Sequence, residues 1–150
     1  MQTRSAINAI VLGGFNAGTV DIGAAAGISG RSPILILRVI AGGILGRTSL
    51  GGGTSAAVLG LLLQWGMSLI IAAIFVCAAR YLEVLRRQWL AAGIAFGVPV
   101  WLVMNFVVVP LSAWHRMPTI TLYGVVANLL AMMLFGVIVS YFASRIRGAA

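Results

Sequence analysis

Few side chains in this 150-residue chain are equipped for chemistry, and that scarcity already narrows its function. It holds two carboxylates, Asp21 and Glu83, one histidine, His115, and one cysteine, Cys77. Asp21 sits inside an apolar run, where an ionisable group is costly unless a partner or water meets it. Arg38 interrupts a second apolar run, and the amides of Asn16, Gln64, Asn105 and Asn128 interrupt others. A metal site would need more ligands than one histidine and two acids provide, so no metal is expected. A Ser/His/Asp triad is possible in residue count only, because no nucleophile-elbow pattern accompanies it. Neither a catalytic residue nor a cofactor is expected, and the chain does not read as an enzyme.

The elements that must position these groups follow from composition. An apolar fraction of 61% and a mean hydropathy of +1.10 exceed what a soluble core of this size can hide. The charged residues, 8% of the chain, fall between apolar stretches instead of spreading over faces, as at membrane boundaries. A net charge of +8 would suit nucleic acid if the cations shared one polar face. Here they punctuate hydrophobic spans, so membrane lipids are the expected partners and nucleic acid is not. All ten cations are arginine, which suits bidentate contact with anions and equally the codon bias of a GC-rich genome.

The spacing predicts an all-α integral membrane bundle. Four spans are expected at about residues 6–28, 54–80, 89–111 and 119–144, with a short half-helix at 33–46 between the first two. The half-helix, opened by Pro33, would rise only about 20 Å against a hydrocarbon core of about 30 Å, so a re-entrant or interfacial course is expected, although the arginine distribution fits a fifth full span as well. Gly51, Gly52 and Gly53 read as a hinge back into the second span. They are not a phosphate loop, since no Lys follows in the required place. Pro99 predicts a kink in the third span, and Trp89 and Trp114 bracket it as an interfacial belt. Ala24, Ala25 and Ala26 would suit signal-peptide cleavage, but Asn16 and Asp21 sit badly in an h-region, and the first span is expected to be retained. With both termini cytoplasmic in a bacterial inner membrane, Arg4, Arg80, Arg86, Arg87, Arg145 and Arg147 lie inside, and Arg31, Arg38, Arg47 and Arg116 lie outside. Cys77 is expected to pack, and His115 to sit in an interfacial loop.

Four stretches, in order, resemble a family of small four-span bacterial inner-membrane proteins that has no assigned activity. They are Ala17-Gly18-Thr19-Val20-Asp21; Ser32-Pro33 leading to Ile40-Ala41-Gly42-Gly43-Ile44-Leu45-Gly46; Gly51-Gly52-Gly53 leading to Leu59-Gly60-Leu61; and Val109-Pro110-Leu111-Ser112. The resemblance implies a four-span membrane protein. Its members tend to carry Gln in the place of Arg38 and His in the place of Gln64.

Depth arithmetic places Asp21, Gln64, Asn105 and Asn128 between the midplane and the outer face, with Asn16 near mid-depth. One expectation is therefore an outward polar vestibule for a small anion or solute, built by Asp21, Arg38, Gln64, Asn16, Asn105 and Asn128. Asp21 could equally pair with Arg38 or Arg31 to pin the half-helix, and the amides could bond between helices. Small residues four apart, Gly14 and Gly18, Gly23 and Gly27, Gly42 and Gly46, Gly93 and Gly97, permit close helix contact. They fit a homo-oligomer, or a scaffold that docks its first span on another membrane protein.

Overall fold

The computed structural model describes residues 2–114 and 121–146, with side chains from Ser5 onward. His115, Arg116 and Arg147 lie outside the described residues, as does the side chain of Arg4. The described chain is helical throughout: α1 Gln2–Ser29, α2 Pro33–Leu45, a 3-10 stretch Gly46–Gly51, α3 Gly53–Tyr81, α4 Glu83–Arg87, α5 Trp89–Val103, a π-helical stretch Met104–Val108, α6 Val109–Leu111 and α7 Leu122–Ser144.

Local chemistry sets the punctuation. Gly30 takes φ 65°, and the Arg31 amide donates back to the Ala26 carbonyl at 3.2 Å. This is the bond that closes a helix through a left-handed residue, and a side chain there would be strained. Ser32 then caps α2, its Oγ accepting from the Leu35 amide at 3.3 Å, and Pro33 occupies the first turn, where its missing N–H costs nothing. Thr121 caps α7 in the same way, accepting from the Gly124 amide at 3.1 Å.

Five helical segments among the described residues are long and apolar enough to cross a membrane: Ser5–Ser29, Pro33–Gly51, Gly53–Tyr81, Trp89–Leu111 and Leu122–Ser144. The fifth, beyond the four expected, is the supposed half-helix. Its 13 α-helical residues are followed by a 3-10 stretch of six that opens at Gly46, whose φ of 64° turns the helical path, and the 19 residues together are long and apolar enough to cross. Length therefore no longer excludes a crossing by this segment. The sequence reading missed the extension because Arg47-Thr48-Ser49 and the glycines look like a loop. Thr48 and Ser49 instead turn their hydroxyls onto the carbonyls of Leu45, at 2.7 Å, and Gly46, at 2.9 Å.

Glycines govern which helices meet. A Cβ on Gly14 would stand 3.1 Å from Leu69 Cα, and one on Gly18 would run into Ser68. These contacts, with Asp21 meeting Gln64, show partner numbers falling along α3 as they rise along α1. The two helices are thus antiparallel, and α2 begins and ends beside the same end of the pair. Gly93 and Gly97 do the same for α5 against α7: a Cβ on Gly97 would lie 2.5 Å from Met133 Cα, and one on Gly136 would meet the Gly93 carbonyl. Gly13 opens α1 to Val139 and Phe142 of α7. Around these seams Ala17, Ala72, Phe75, Val76, Val139 and Ala143 form the core. Phe75 meets Phe96 edge-on at 4.9 Å. Cys77 is exposed on the outside of the bundle.

The third apolar segment runs from Trp89 to Leu111 without a break, but its hydrogen-bond ladder widens to the π pattern at Met104–Val108. Pro99 cannot donate and Pro110 opens the last turn, so the ladder is interrupted on both sides of the bulge.

Candidate functional site

The α1–α3 seam carries the polar groups. Gln64, only 6% exposed, donates from Nε2 to Asp21 Oδ2 at 2.8 Å. Its backbone carbonyl accepts from the Ser68 hydroxyl at 2.7 Å, and Ser68 in turn lies against Gly18. One residue further on, Trp65 Nε1 donates to Thr19 Oγ1 at 3.3 Å. The Thr19 hydroxyl in turn donates a hydrogen bond to the Phe15 carbonyl at 2.8 Å, and the Phe15 ring meets Trp65 edge-on at 5.0 Å. The absence of side chains at Gly14 and Gly18 is what brings the backbones close enough for a short aspartate to reach across.

Magnitudes separate this seam from ordinary glue. A hydrogen bond between membrane helices contributes about 0.6 to 1.7 kcal/mol, whereas an ionised carboxylate near the centre of a membrane costs about 2.5 to 3.5 kcal/mol. One amide bond would not by itself offset a charge on Asp21. Gln64 stands about 16 Å from the Gly53 end of α3.

Arg38 does not supply the missing charge. Its Nε donates to the Gly53 carbonyl at 3.1 Å, eleven residues and about 16 Å along α3 from Gln64. The cause is the seating of α2: its backbone at Leu37 lies on Gly60, where a Cβ would collide with the Leu37 carbonyl. From there Arg38 reaches toward the start of α3, away from Gln64. Arg31 is exposed. The ion pair expected between Asp21 and one of these arginines is replaced by the amide bond of Gln64.

The remaining amides do not converge on Asp21. Asn16 is exposed and bonds the Leu12 carbonyl of its own helix at 2.7 Å. Asn105, in the π stretch, bonds the Trp101 carbonyl at 2.9 Å, and Asn128 is exposed. An amide that bonds the carbonyl four residues back is satisfied within its helix and asks nothing of a neighbour. Of the six polar positions singled out from sequence, the fold brings Asp21 and Gln64 together and leaves the other four apart.

Trp114, expected in the interfacial belt, also fastens α2. Its Nε1 donates to the Val39 carbonyl at 2.9 Å, the neighbouring Ala113 amide donates to the Gly43 carbonyl at 2.8 Å, and the indole covers Gly42. The Gly42 and Gly46 pair thus receives an indole and a loop in place of a helix. Trp114→Phe is expected to retain the ring packing and lose about 1 kcal/mol with the hydrogen bond. Faster amide hydrogen exchange along α2, without change in α7, would register it.

Comparison with known proteins finds no matching family model, no similar curated protein and no similar solved structure. Geometry alone therefore carries the functional reading.

Proposed function

We propose that the chain is a multi-pass bacterial inner-membrane protein that conducts or carries a small polar solute through an outward-opening site between α1, α2 and α3. In this reading α1, α3, α5 with its continuation, and α7 make four crossings, and both termini are cytoplasmic. α2 and its 3-10 extension enter and leave on the outer face, as the antiparallel pairing of α1 with α3 supports. Arg38 stands at the entrance, where it favours an anionic group, and Asp21 with Gln64 lies at depth. The observation that carries the proposal is the carboxylate of Asp21, which one neutral amide does not compensate. A passing group that donates hydrogen bonds or carries positive charge completes its coordination. Half-helices that end inside membranes serve ions and solutes elsewhere by aiming their dipoles at them, which gives α2 a physical role.

Reconstituted flux of small zwitterions, whose two charges suit Arg38 and Asp21 in turn, tests this, with chloride and phosphate as comparisons that Asp21 should not favour. Asp21→Asn and Arg38→Gln are each expected to lower flux at least about tenfold, as each removes a charge that binding would use. Flux equal to that of the unaltered chain in both variants would end the proposal.

A scaffold or homo-oligomeric role has its own support. Nothing lies within 4 Å of a Cβ on Gly23 or Gly27, and both share an exposed face of α1 with Asn16 and Val20. Small residues beside an amide suit contact with another membrane helix. Gly27→Leu is then expected to abolish crosslinking to the partner or second copy and leave permeability unchanged. Gly18→Leu would not distinguish the readings, because Gly18 is occupied inside the chain by Ser68.

A further inference from the structure

The glycines that draw α5 onto α7 leave it away from α3, and a cleft of about 340 Å³ opens between α3 and α5. Every residue along it is apolar, including Met67, Ile70 and Ile74 on one side and Phe96, Pro99 and Val103 on the other. On α5 and its continuation the cleft extends from Phe96 to Val108, about 18 Å of helix that begins about 10 Å along α5 from Trp89, a distance the glycerol and first methylenes of a lipid can bridge. Toward one end the two walls are joined through α4, and this junction is strongly basic: Arg80 ends α3, and Arg86 and Arg87 close α4, with Glu83 the one acid there. Arg86 Nε is buried with no hydrogen-bond partner. Beside it Trp89 meets Tyr141 edge-on at 5.5 Å, and Arg145 lies over the Tyr141 ring at 4.9 Å. Aromatic residues alternating with arginine in this way mark the headgroup level of a membrane.

We propose that the α3–α5 cleft and the arginines of α4 together bind one anionic phospholipid, its acyl chain along the cleft and its phosphate against Arg80, Arg86 and Arg87. The charge of the junction selects the occupant. A zwitterionic lipid fills the cleft equally well but leaves three guanidinium groups facing a neutral headgroup, whereas a net negative headgroup gains from each nearby cation. A second copy of this chain would bring the same excess of arginine to the same end, so its helix is a poorer fit. The site rests on the membrane reading of the chain and is independent of Asp21.

Native mass spectrometry of the full chain, released from detergent after addition of phosphatidylglycerol or of phosphatidylcholine with the same acyl chains, tests it. Phosphatidylglycerol adducts are expected to be retained at least about tenfold better, because two or more arginines contribute. The preference should fall several-fold in Arg86→Gln and in the exposed pair Arg80→Gln with Arg87→Gln. Ile74→Trp, at a side chain 59% exposed, should narrow the cleft and weaken retention of both lipids while keeping the headgroup preference. Equal retention of the two lipids by the unaltered chain, or a preference that survives both arginine variants, overturns the site. Inorganic phosphate adducts retained as well as those of phosphatidylglycerol overturn the lipid assignment. Flux of the small solutes should be unaffected by Ile74→Trp, so failure here is distinct from failure of the solute path.

Discussion

Gly97→Leu is expected to cost the protein its stable fold, with a loss of more than about 3 kcal/mol. Overpacking in a core typically costs 1 to 3 kcal/mol when side chains can adjust, but here the obstruction is backbone. A Cβ on Gly97 would already stand 2.5 Å from Met133 Cα and 2.6 Å from the Met132 carbonyl, and leucine adds three carbons beyond it. The α5–α7 contact must open, and with it the seam that Gly93 and Gly136 share. Gly23→Leu supplies the control, since that position meets nothing within 4 Å and is expected to stay within about 0.5 kcal/mol. Unfolding midpoints in mixed detergent would compare the two; a Gly97→Leu midpoint equal to that of the control contradicts the packing described.

Gln64→Leu should produce the other large effect, a destabilisation of about 1.5 to 3 kcal/mol, the range for hydrogen bonds to charged groups. The substitution strips Asp21 of its bond from Nε2 and leaves the carboxylate against hydrocarbon. Asp21→Asn keeps an acceptor for Gln64 and removes the charge, so its stability should hold or rise while solute flux falls. The double variant, Asp21→Leu with Gln64→Leu, is expected to recover most of what Gln64→Leu alone loses, since neither polar group then remains unpaired. A double-mutant cycle with no coupling between the positions would show that Asp21 and Gln64 do not act on each other.

Much of the helical plan was legible from the chain. Charge-free runs bounded by arginine and tryptophan mark the long helices within a few residues, because the composition of a membrane-length helix is itself the signal. Gly14, Gly18, Gly93 and Gly97 were legible as packing positions for a related reason, since four-residue spacing sets them on one helix face. Which face of which helix they meet was not, and Gly23 and Gly27 carry the same spacing while facing open space. The pairing of Asp21 also escaped the sequence. Opposite charge pointed to Arg38, whereas the seating of the Leu37 backbone on Gly60 decides where that arginine reaches. Trp65, Thr19 and Ser68 are not site candidates by sequence, although they lie one, two and four positions from Gln64, Asp21 and Gln64. Only a register between α1 and α3 could have joined them.

Trp114 and the Val39 carbonyl it holds are separated by 75 positions in the chain, and synthesis is sequential. At about 5 to 20 residues per second, α2 waits about 4 to 15 s after its own emergence before the indole that fastens it has been made. For that interval the segment is held by α1 and the growing α3 alone. In a Cys77→Ala chain, ribosome-stalled lengths ending shortly before Trp114 should accordingly leave α2 open to added thiol reagents through a cysteine placed at Val39, and lengths stalled well beyond it should not.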